Sequence, residues 1–372
     1  MNKIVLFLIL IMTCNLLNAQ EHIEYYENGN IKKTGQYGED GYATGIWKEY
    51  YENGNIKNKG EHKQGRSIGL VSFYHENGRL NFTYNYTTYE RTTYYDNEKT
   101  ESKGKEIRTE NDGKFARSGK WKMYYKNGVL ESEGEYSGEY TDSDLGVKIG
   151  QWKEYHESGK IKMIGNYSKG EMHGEYKFYY ENGQLSNKGT YNNYNNIGES
   201  LSYYENGTLR RKEFYNSDSQ LEGESNTYYE NGKLEINIKA LGIGKFHAKM
   251  YNKNGDLTRE TTTTSSIEDI YYYNQKNGFF KDYNTDGTLK ESYHIDNEKL
   301  DGEYLMYYKN GIITLKIIFS EGMFWTILEQ NDINGNPLEL GTLKDGNGSM
   351  NYYDENGKLA QKINYINGIA QE

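Results

Sequence analysis

Runs of Tyr and other β-forming residues alternate with polar turns, often Asn-Gly, along nearly the whole chain. The stretch Gly174-Glu-Tyr-Lys-Phe-Tyr-Tyr-Glu-Asn-Gly183 is representative: a Gly opens it and an Asn-Gly follows nine residues later. The same interval separates Gly45 from Gly54, Gly69 from Gly78, Gly119 from Gly128, Gly150 from Gly159 and Gly198 from Gly207. It recurs between Gly223 and Gly232, Gly278 and Gly287, Gly302 and Gly311, and Gly348 and Gly357. Asn-Gly between β-forming runs is the strongest short-range signal for a hairpin, because both residues tolerate positive φ. The usual unit of ~24 residues is a period typical of repeat arrays, in which each unit packs mainly on its neighbours. The pattern predicts an all-β protein, an elongated single-layer antiparallel sheet of tandem hairpins over 20–372.

With the opening Gly as place one, place six is Tyr in eleven well-framed units: Tyr25, Tyr50, Tyr74, Tyr124, Tyr155, Tyr179, Tyr203, Tyr228, Tyr283, Tyr307 and Tyr353. Place twelve is Leu or Ile in the same eleven, from Ile31 through Leu185 to Leu359. Weaker units around 89–98, 244–255 and 322–335 complete the array. Departures from the pattern predict irregular stretches near 83–115, 138–149, 258–275 and 319–345. Within them, the Thr-rich run 261–266 reads as an exposed loop. Pro337, which has no N–H to give to a ladder, reads as a break before the final unit.

Turn type decides which side chains share a face. A two-residue turn pairs place three with sixteen and seven with twelve, whereas a bulged three-residue turn pairs six with twelve. Place sixteen is Gly in five of the framed units, and place three then always carries a ring: His22 with Gly35, Trp47 with Gly60, Trp121 with Gly134, Trp152 with Gly165, Tyr176 with Gly189. A ring lying over a cross-strand Gly shields bare backbone, and such pairs contribute about 0.2–1 kcal/mol each. The correlation favours the two-residue turn. It puts Trp47, Tyr51 and Ile56 on one face and the place-six Tyr ladder on the more polar one.

Composition sharpens this picture. There are 40 Tyr, 11 Phe and 4 Trp, so apolar burial must come largely from rings whose polar tips stay wet. The formal charge is −10 with Lys and Glu interspersed, which argues against nucleic acid, whose binding favours a basic stripe, and against anionic lipid. Residues 1–19 have the form of an export signal: Lys3, the apolar run from Ile4 to Met12, and a cleavage site after Ala19. The apolar run is too short to span a bilayer comfortably. Cleavage after Ala19 is favoured over lipidation at Cys14, since Thr13 is a poor residue ahead of a lipidated cysteine. Cys14 is the only cysteine, so the processed region has no disulfide or thiol chemistry. The expected location is the periplasm, the cell surface or the medium.

The pattern Gly-x-Trp-Lys-x-Tyr-Tyr-x-Asn-Gly, carried by Gly45 to Gly54 and by Gly119 to Gly128, resembles the bacterial MORN-variant repeat. The resemblance covers essentially 20–372. It implies consecutive β-hairpins and a role in interaction rather than catalysis. Some bacterial proteins built from this repeat are labelled antitoxin components.

Residues with catalytic potential do not assemble into a motif. The seven His are dispersed, without a zinc-like pair, and His62, His75 and His156 stand at repeat places otherwise held by aromatics. Asp332-Ile-Asn334-Gly-Asn336 imitates the start of a calcium loop, but Pro337 follows where the turn Gly belongs and the closing Glu is missing. No catalytic, cofactor or metal site is expected. The candidate site is the Tyr ladder of place six. It is set against a purely structural role for the same rings, because cross-strand aromatic packing alone accounts for recurrence. The leading expectation is an exported, non-enzymatic scaffold for a protein partner. Alternatives are binding of envelope polysaccharide and neutralisation of a toxin.

Overall fold

The computed structural model describes residues 20–108, 114–139, 146–274, 276–354 and 356–371. The leader 1–19, with Cys14, lies outside them. The chain divides into two compact units, with the boundary between Met172 and His173. Each is built from antiparallel strands joined as successive hairpins. The first holds six, from the pair Gln20–Tyr25 and Ile31–Tyr37 to the pair Lys148–Tyr155 and Ile161–Ser168. The second continues in the same manner from Glu171–Tyr179 paired with Leu185–Asn192 to Lys299–Tyr307 paired with Ile313–Ser320. The sequence-based expectation of an all-β fold of tandem hairpins is what the chain adopts.

The turn differs from the expected one. In the hairpin Ala43–Tyr50 and Ile56–Lys63, Tyr51 N–H donates to Asn55 C=O at 2.8 Å and Gly54 N–H donates to Tyr51 C=O at 3.0 Å. Asn53 Oδ1 accepts from Asn55 N–H at 2.9 Å. This is a three-residue loop, Glu52-Asn53-Gly54, with Gly54 at φ +87°, the left-handed position of a G1 bulge. Place six therefore pairs with twelve, Tyr50 with Ile56, and a further bulge at Lys57 restores the pairing of Trp47 with Gly60. The same register recurs in the other framed hairpins, among them Tyr179 with Leu185 and Tyr283 with Leu289. The correction moves Ile56 away from Trp47, onto the face of the Tyr ladder. The two-residue turn does occur, but between repeats: Gln64 and Gly65 have φ of 51° and 72°, and Asn193 and Tyr194 have 51° and 64°.

A second bulge links successive repeats. Thr34 pairs with Lys48 and Gln36 with Thr44, so Gly45, Ile46 and Trp47 stand opposite the single residue Gly35. Gly45 makes the bulge with φ +69°, a conformation that costs a residue bearing Cβ about 1–2 kcal/mol. Positive φ recurs at the Gly that opens each framed repeat but the first. The bulge swings the ring backwards. A Cβ on Gly35 would lie 2.1 Å from the Trp47 ring, one on Gly104 would lie 2.3 Å from Trp121, and one on Gly134 would lie 2.1 Å from Trp152. Gly60, the register partner of Trp47, is instead covered by Val71 of the next repeat at 2.4 Å. These three Trp rings thus shield glycines of the preceding repeat, whereas Tyr176 lies over its own Gly189, at 2.8 Å.

Place three forms the core. Trp47, Val71, Trp121, Trp152, Tyr176, Ser225, Phe280 and Met350 are all buried. Their rings pack edge to face along the first unit, Trp121 on Tyr136 on Trp152 on Tyr167, with centroids 6.2, 5.0 and 6.2 Å apart. Such pairs contribute about 0.5–1.5 kcal/mol beyond the area they bury.

Parts of two stretches expected to be irregular are regular, while 140–145 of the stretch near 138–149 lie outside the described residues. The region 83–115 carries the strands Glu90–Tyr94 and Thr100–Arg108, paired through Thr93 and Ser102. The first half of the Thr-rich run is the end of a strand, Leu257–Thr263, with Thr261 and Thr263 buried, whereas Thr264 and Ser266 beyond it are exposed as expected. The buried hydroxyls are satisfied, as where Thr261 Oγ1 donates to Phe279 C=O at 3.0 Å. A short helix, Ile267–Tyr271, follows, N-capped by Ser266, and seats Ile270 on Ile236, Ile238, Ala248 and Met250. The break near Pro337 is real but begins later than expected. The strand Met323–Gln330 is intact, and where its hairpin partner should start, Pro337 makes only an isolated bridge to Asn331. Residues Gly348–Tyr353 and Leu359–Ile366 then form a separate sheet. Its Met350 and Tyr365 pack on Ile317, Phe319 and Ile327 as a local second layer.

Gly134→Ala should destabilise the protein by about 1–3 kcal/mol, the usual cost of overpacking, read as a lowered urea midpoint. Most of that penalty should vanish in a Trp152→Ala background; equal penalties in both backgrounds would refute the ring-on-glycine contact.

Candidate interaction surface

The register sorts each hairpin into two faces, since side chains alternate along a strand and directly opposed residues share a side. One face carries places three, five, fourteen and sixteen and is the ring-packed one. The other carries places two, four, six, twelve, fifteen and seventeen. On it, a Tyr lies directly opposite a Leu or Ile in each of the eleven framed hairpins, for example Tyr74 with Leu80, Tyr124 with Leu130 and Tyr203 with Leu209. All eleven predicted site residues therefore fall on one kind of position. Tyr25 is exposed and the other ten are half-buried. The aliphatic partners of place twelve escaped the sequence reading, which had put them on the opposite face. Their invariance beside Tyr was the available signal. Ile46, Leu70 and Phe214, on the same face, are also exposed.

The phenol tips of this stripe reach back to the preceding repeat. Tyr155 OH donates to Glu133 Oε1 at 2.8 Å and Tyr283 OH to Glu260 Oε2 at 3.0 Å. Partial burial and the adjacent carboxylate hold both phenols protonated up to about 12. The hydrogen bond from Tyr155 likewise holds the Glu133 carboxyl below its usual range.

Place seven ties each repeat forward, to the main chain of the next one. Tyr51 OH donates to the Tyr74 carbonyl at 2.8 Å, Tyr125 OH to Tyr155 at 2.7 Å, Tyr180 OH to Tyr203 at 2.7 Å and Tyr204 OH to Tyr228 at 2.7 Å. Next to it, the turn Asn makes a parallel contact: Asn53 Nδ2 donates to the Glu76 carbonyl at 2.9 Å and Asn182 Nδ2 to Glu205 at 2.8 Å. The Tyr contacts are partly buried, where an unpaired acceptor is costly; the Asn contacts are exposed.

Other candidate residues are absorbed by the fold. His62 packs at 6.0 Å from Trp47, and burial depresses its pKa. Asp332 serves its turn, its Oδ1 accepting from Asn334 and Asn336 N–H at 2.9 and 2.8 Å. Among the described residues no group of His, Cys, Asp and Glu is placed to hold a metal ion, and no helix is long and apolar enough to cross a membrane.

Fold and surface together define a tandem β-hairpin repeat protein with a regular Tyr–aliphatic stripe. The model of the MORN repeat variant matches residues 21–38, 43–64, 117–137, 148–169, 172–193, 197–217, 221–238, 300–320 and 347–367. The chain belongs to that family. No curated protein matches it. Among solved structures, it is similar to a chain of the TcdB2-TccC3-Cdc42 complex at 11% identity, covering 92% of this chain and 22% of that one with a TM-score of 0.17. A Photorhabdus luminescens Tc holotoxin pore gives 12% identity, 92% and 21% coverage and the same TM-score of 0.17. A porin-like protein from Bacteroides uniformis gives 12% identity over 60% of this chain and 95% of that one, with a TM-score of 0.19. The chain thus spans about a fifth of the toxin-complex chains it matches.

Two predictions follow from the hydrogen bonds. Tyr204→Phe should cost about 1 kcal/mol in urea unfolding, the typical net value of one hydrogen bond, whereas Tyr203→Phe should cost less than half of that; the reverse order would contradict the staple role. The second concerns pH. An unfolded Tyr ionises near 10, but Tyr155 and Tyr283 keep their protons to about 12. Between those values the unfolded chain releases protons that the folded one retains, so stability present below pH ~10 should fall as pH rises toward ~12. Tyr155→Phe should flatten part of that decline in urea midpoints measured across the window.

Proposed function

We propose that this protein is a non-catalytic repeat scaffold that binds a protein partner through the Tyr–Leu/Ile stripe, and that it acts after export. The observation that supports this reading most is the strict opposition of Tyr and aliphatic residue in all eleven framed hairpins, on a face separate from the ring-packed core. Burial in the core does not account for that face. Tyr offers large, rigid contact area at small entropic cost, and aromatic anchors amid polar residues are the usual centres of protein interfaces. Lys48, Lys59 and Glu61 beside Tyr50 and Ile56 supply the polar surroundings. The leader supports export: its positive start, apolar run and small-residue cleavage site are those of a secretory signal.

The test is crosslinking and affinity capture from envelope and secreted fractions, with the native chain and a Tyr50→Ser, Tyr74→Ser, Tyr124→Ser variant compared. A partner retained by the native protein and bound at least tenfold more weakly by the variant is the expected result. Equal binding by both would remove the stripe from the interface. Mass spectrometry of the recovered protein should find Gln20 at its N-terminus; a lipid-modified Cys14 there would replace cleavage after Ala19 with surface anchoring.

A further inference from the structure

The helix Ile267–Tyr271 interrupts a hairpin array whose other described connections are turns and loops, and it sits on the ring-packed face. Beside it is a concavity of about 720 Å³, within the range of small-ligand sites. Its floor is organised before any ligand arrives. The Arg211 guanidinium stacks on the Tyr271 ring at 3.7 Å, and its Nε donates to Thr227 Oγ1 at 3.3 Å. Tyr271 OH donates to Glu213 Oε1 at 2.8 Å and lies 2.6 Å from Ser225 Oγ. Arg211 stands 3.9 Å from the same Glu213 oxygen, and Glu213 is only 9% exposed. The rim carries Tyr204, with Arg210 over its ring at 5.7 Å, and Tyr272, which is 81% exposed. Glu235 and Glu268 complete the wall.

We infer that this concavity is a binding site for a neutral saccharide. Two guanidinium groups, Arg210 and Arg211, face three carboxylates, Glu213, Glu235 and Glu268. A phosphate or sulfate group would therefore meet a net negative wall, with the inner guanidinium already held against Glu213. A purely apolar ligand would leave these charged groups desolvated without partners, which is costly. A sugar suits what remains. Its hydroxyls both donate and accept, matching guanidinium and carboxylate together, and its C–H faces can lie on exposed phenol rings. The Tyr272 ring has no evident packing role at its position, and a platform for a sugar ring accounts for its exposure. The site lies on the face opposite the Tyr–aliphatic stripe, so it is independent of the proposed protein interface.

The experiment is calorimetric titration of the full processed chain with cellotetraose, maltotetraose and N,N′,N″-triacetylchitotriose, with a heparin-derived tetrasaccharide and inorganic phosphate as anionic probes. At least one neutral oligosaccharide should bind with saturable affinity. Tyr272→Ala and Arg210→Ala, both at exposed positions, should each weaken that binding at least tenfold while leaving the circular dichroism spectrum and urea midpoint unchanged. Tyr50→Ser, on the stripe, should leave it unaltered, which separates this site from the protein interface. Absence of binding by all three neutral sugars at millimolar concentration overturns the inference. So does preference for the anionic probes, or binding insensitive to both pocket variants.

Discussion

Positive-φ backbone at two fixed glycines is the constraint on which the repeat depends. Gly54 closes the hairpin loop and Gly45 bulges the junction with the preceding repeat, at φ of +87° and +69°. Each bulge inserts residues on one strand without a counterpart on the other. The bulge beside Gly45 is what turns Trp47 back over Gly35. The bulge at Lys57 lets the three-residue loop coexist with the Trp47 and Gly60 pairing. Faces, ring contacts and staples all follow from where these extra residues fall.

The rings then make burial possible in a chain poor in aliphatic residues. A glycine beneath Trp47, Trp121 and Trp152 lets each ring approach the backbone of the neighbouring strand. Two of the three indole N–H groups find a carbonyl there, whereas the buried Trp47 Nε1 makes no hydrogen bond. Trp121 Nε1 donates to Lys105 C=O at 2.8 Å, and Trp152 Nε1 to Glu135 C=O at 3.2 Å. Cations also lie over two of these rings, Arg117 over Trp121 at 4.6 Å and Lys148 over Trp152 at 4.4 Å, contacts that gain strength as they are desolvated. The outcome is a core assembled from contacts between sequential neighbours, as expected where each repeat stabilises the next.

Where a repeat carries two adjacent tyrosines, they have separate tasks. Place seven holds the array together by giving its phenol proton to the carbonyl of place six in the next repeat, and Asn of place nine reinforces that edge. Place six lies on the open face beside its aliphatic partner, and Tyr155 and Tyr283 there reach back to a carboxylate of the preceding repeat. That division supports reading the open face as the one available for recognition. On the ring-packed face of the second unit, the helix Ile267–Tyr271 reshapes the surface.

Much of this was readable from the sequence: the hairpin repeat, its period, the glycine positions, the aromatic core of place three and the grouping of the place-six tyrosines. These are local properties, set by backbone preference at Gly and by which residue types recur at each place. The sequence did not reveal the bulge at place thirteen, which decides whether Ile56 sides with Trp47 or Tyr50, because alternation along one strand is blind to an unpaired residue on its neighbour. Nor did it reveal that Trp47 covers Gly35 rather than Gly60, since both glycines stand at equivalent places on adjoining strands. The Thr-rich run looked exposed because its hydroxyls are polar; tertiary structure buried Thr261 by giving its hydroxyl the Phe279 carbonyl. Side-chain identity fixed which segments become strands, and hydrogen bonding between strands fixed what each side chain faces.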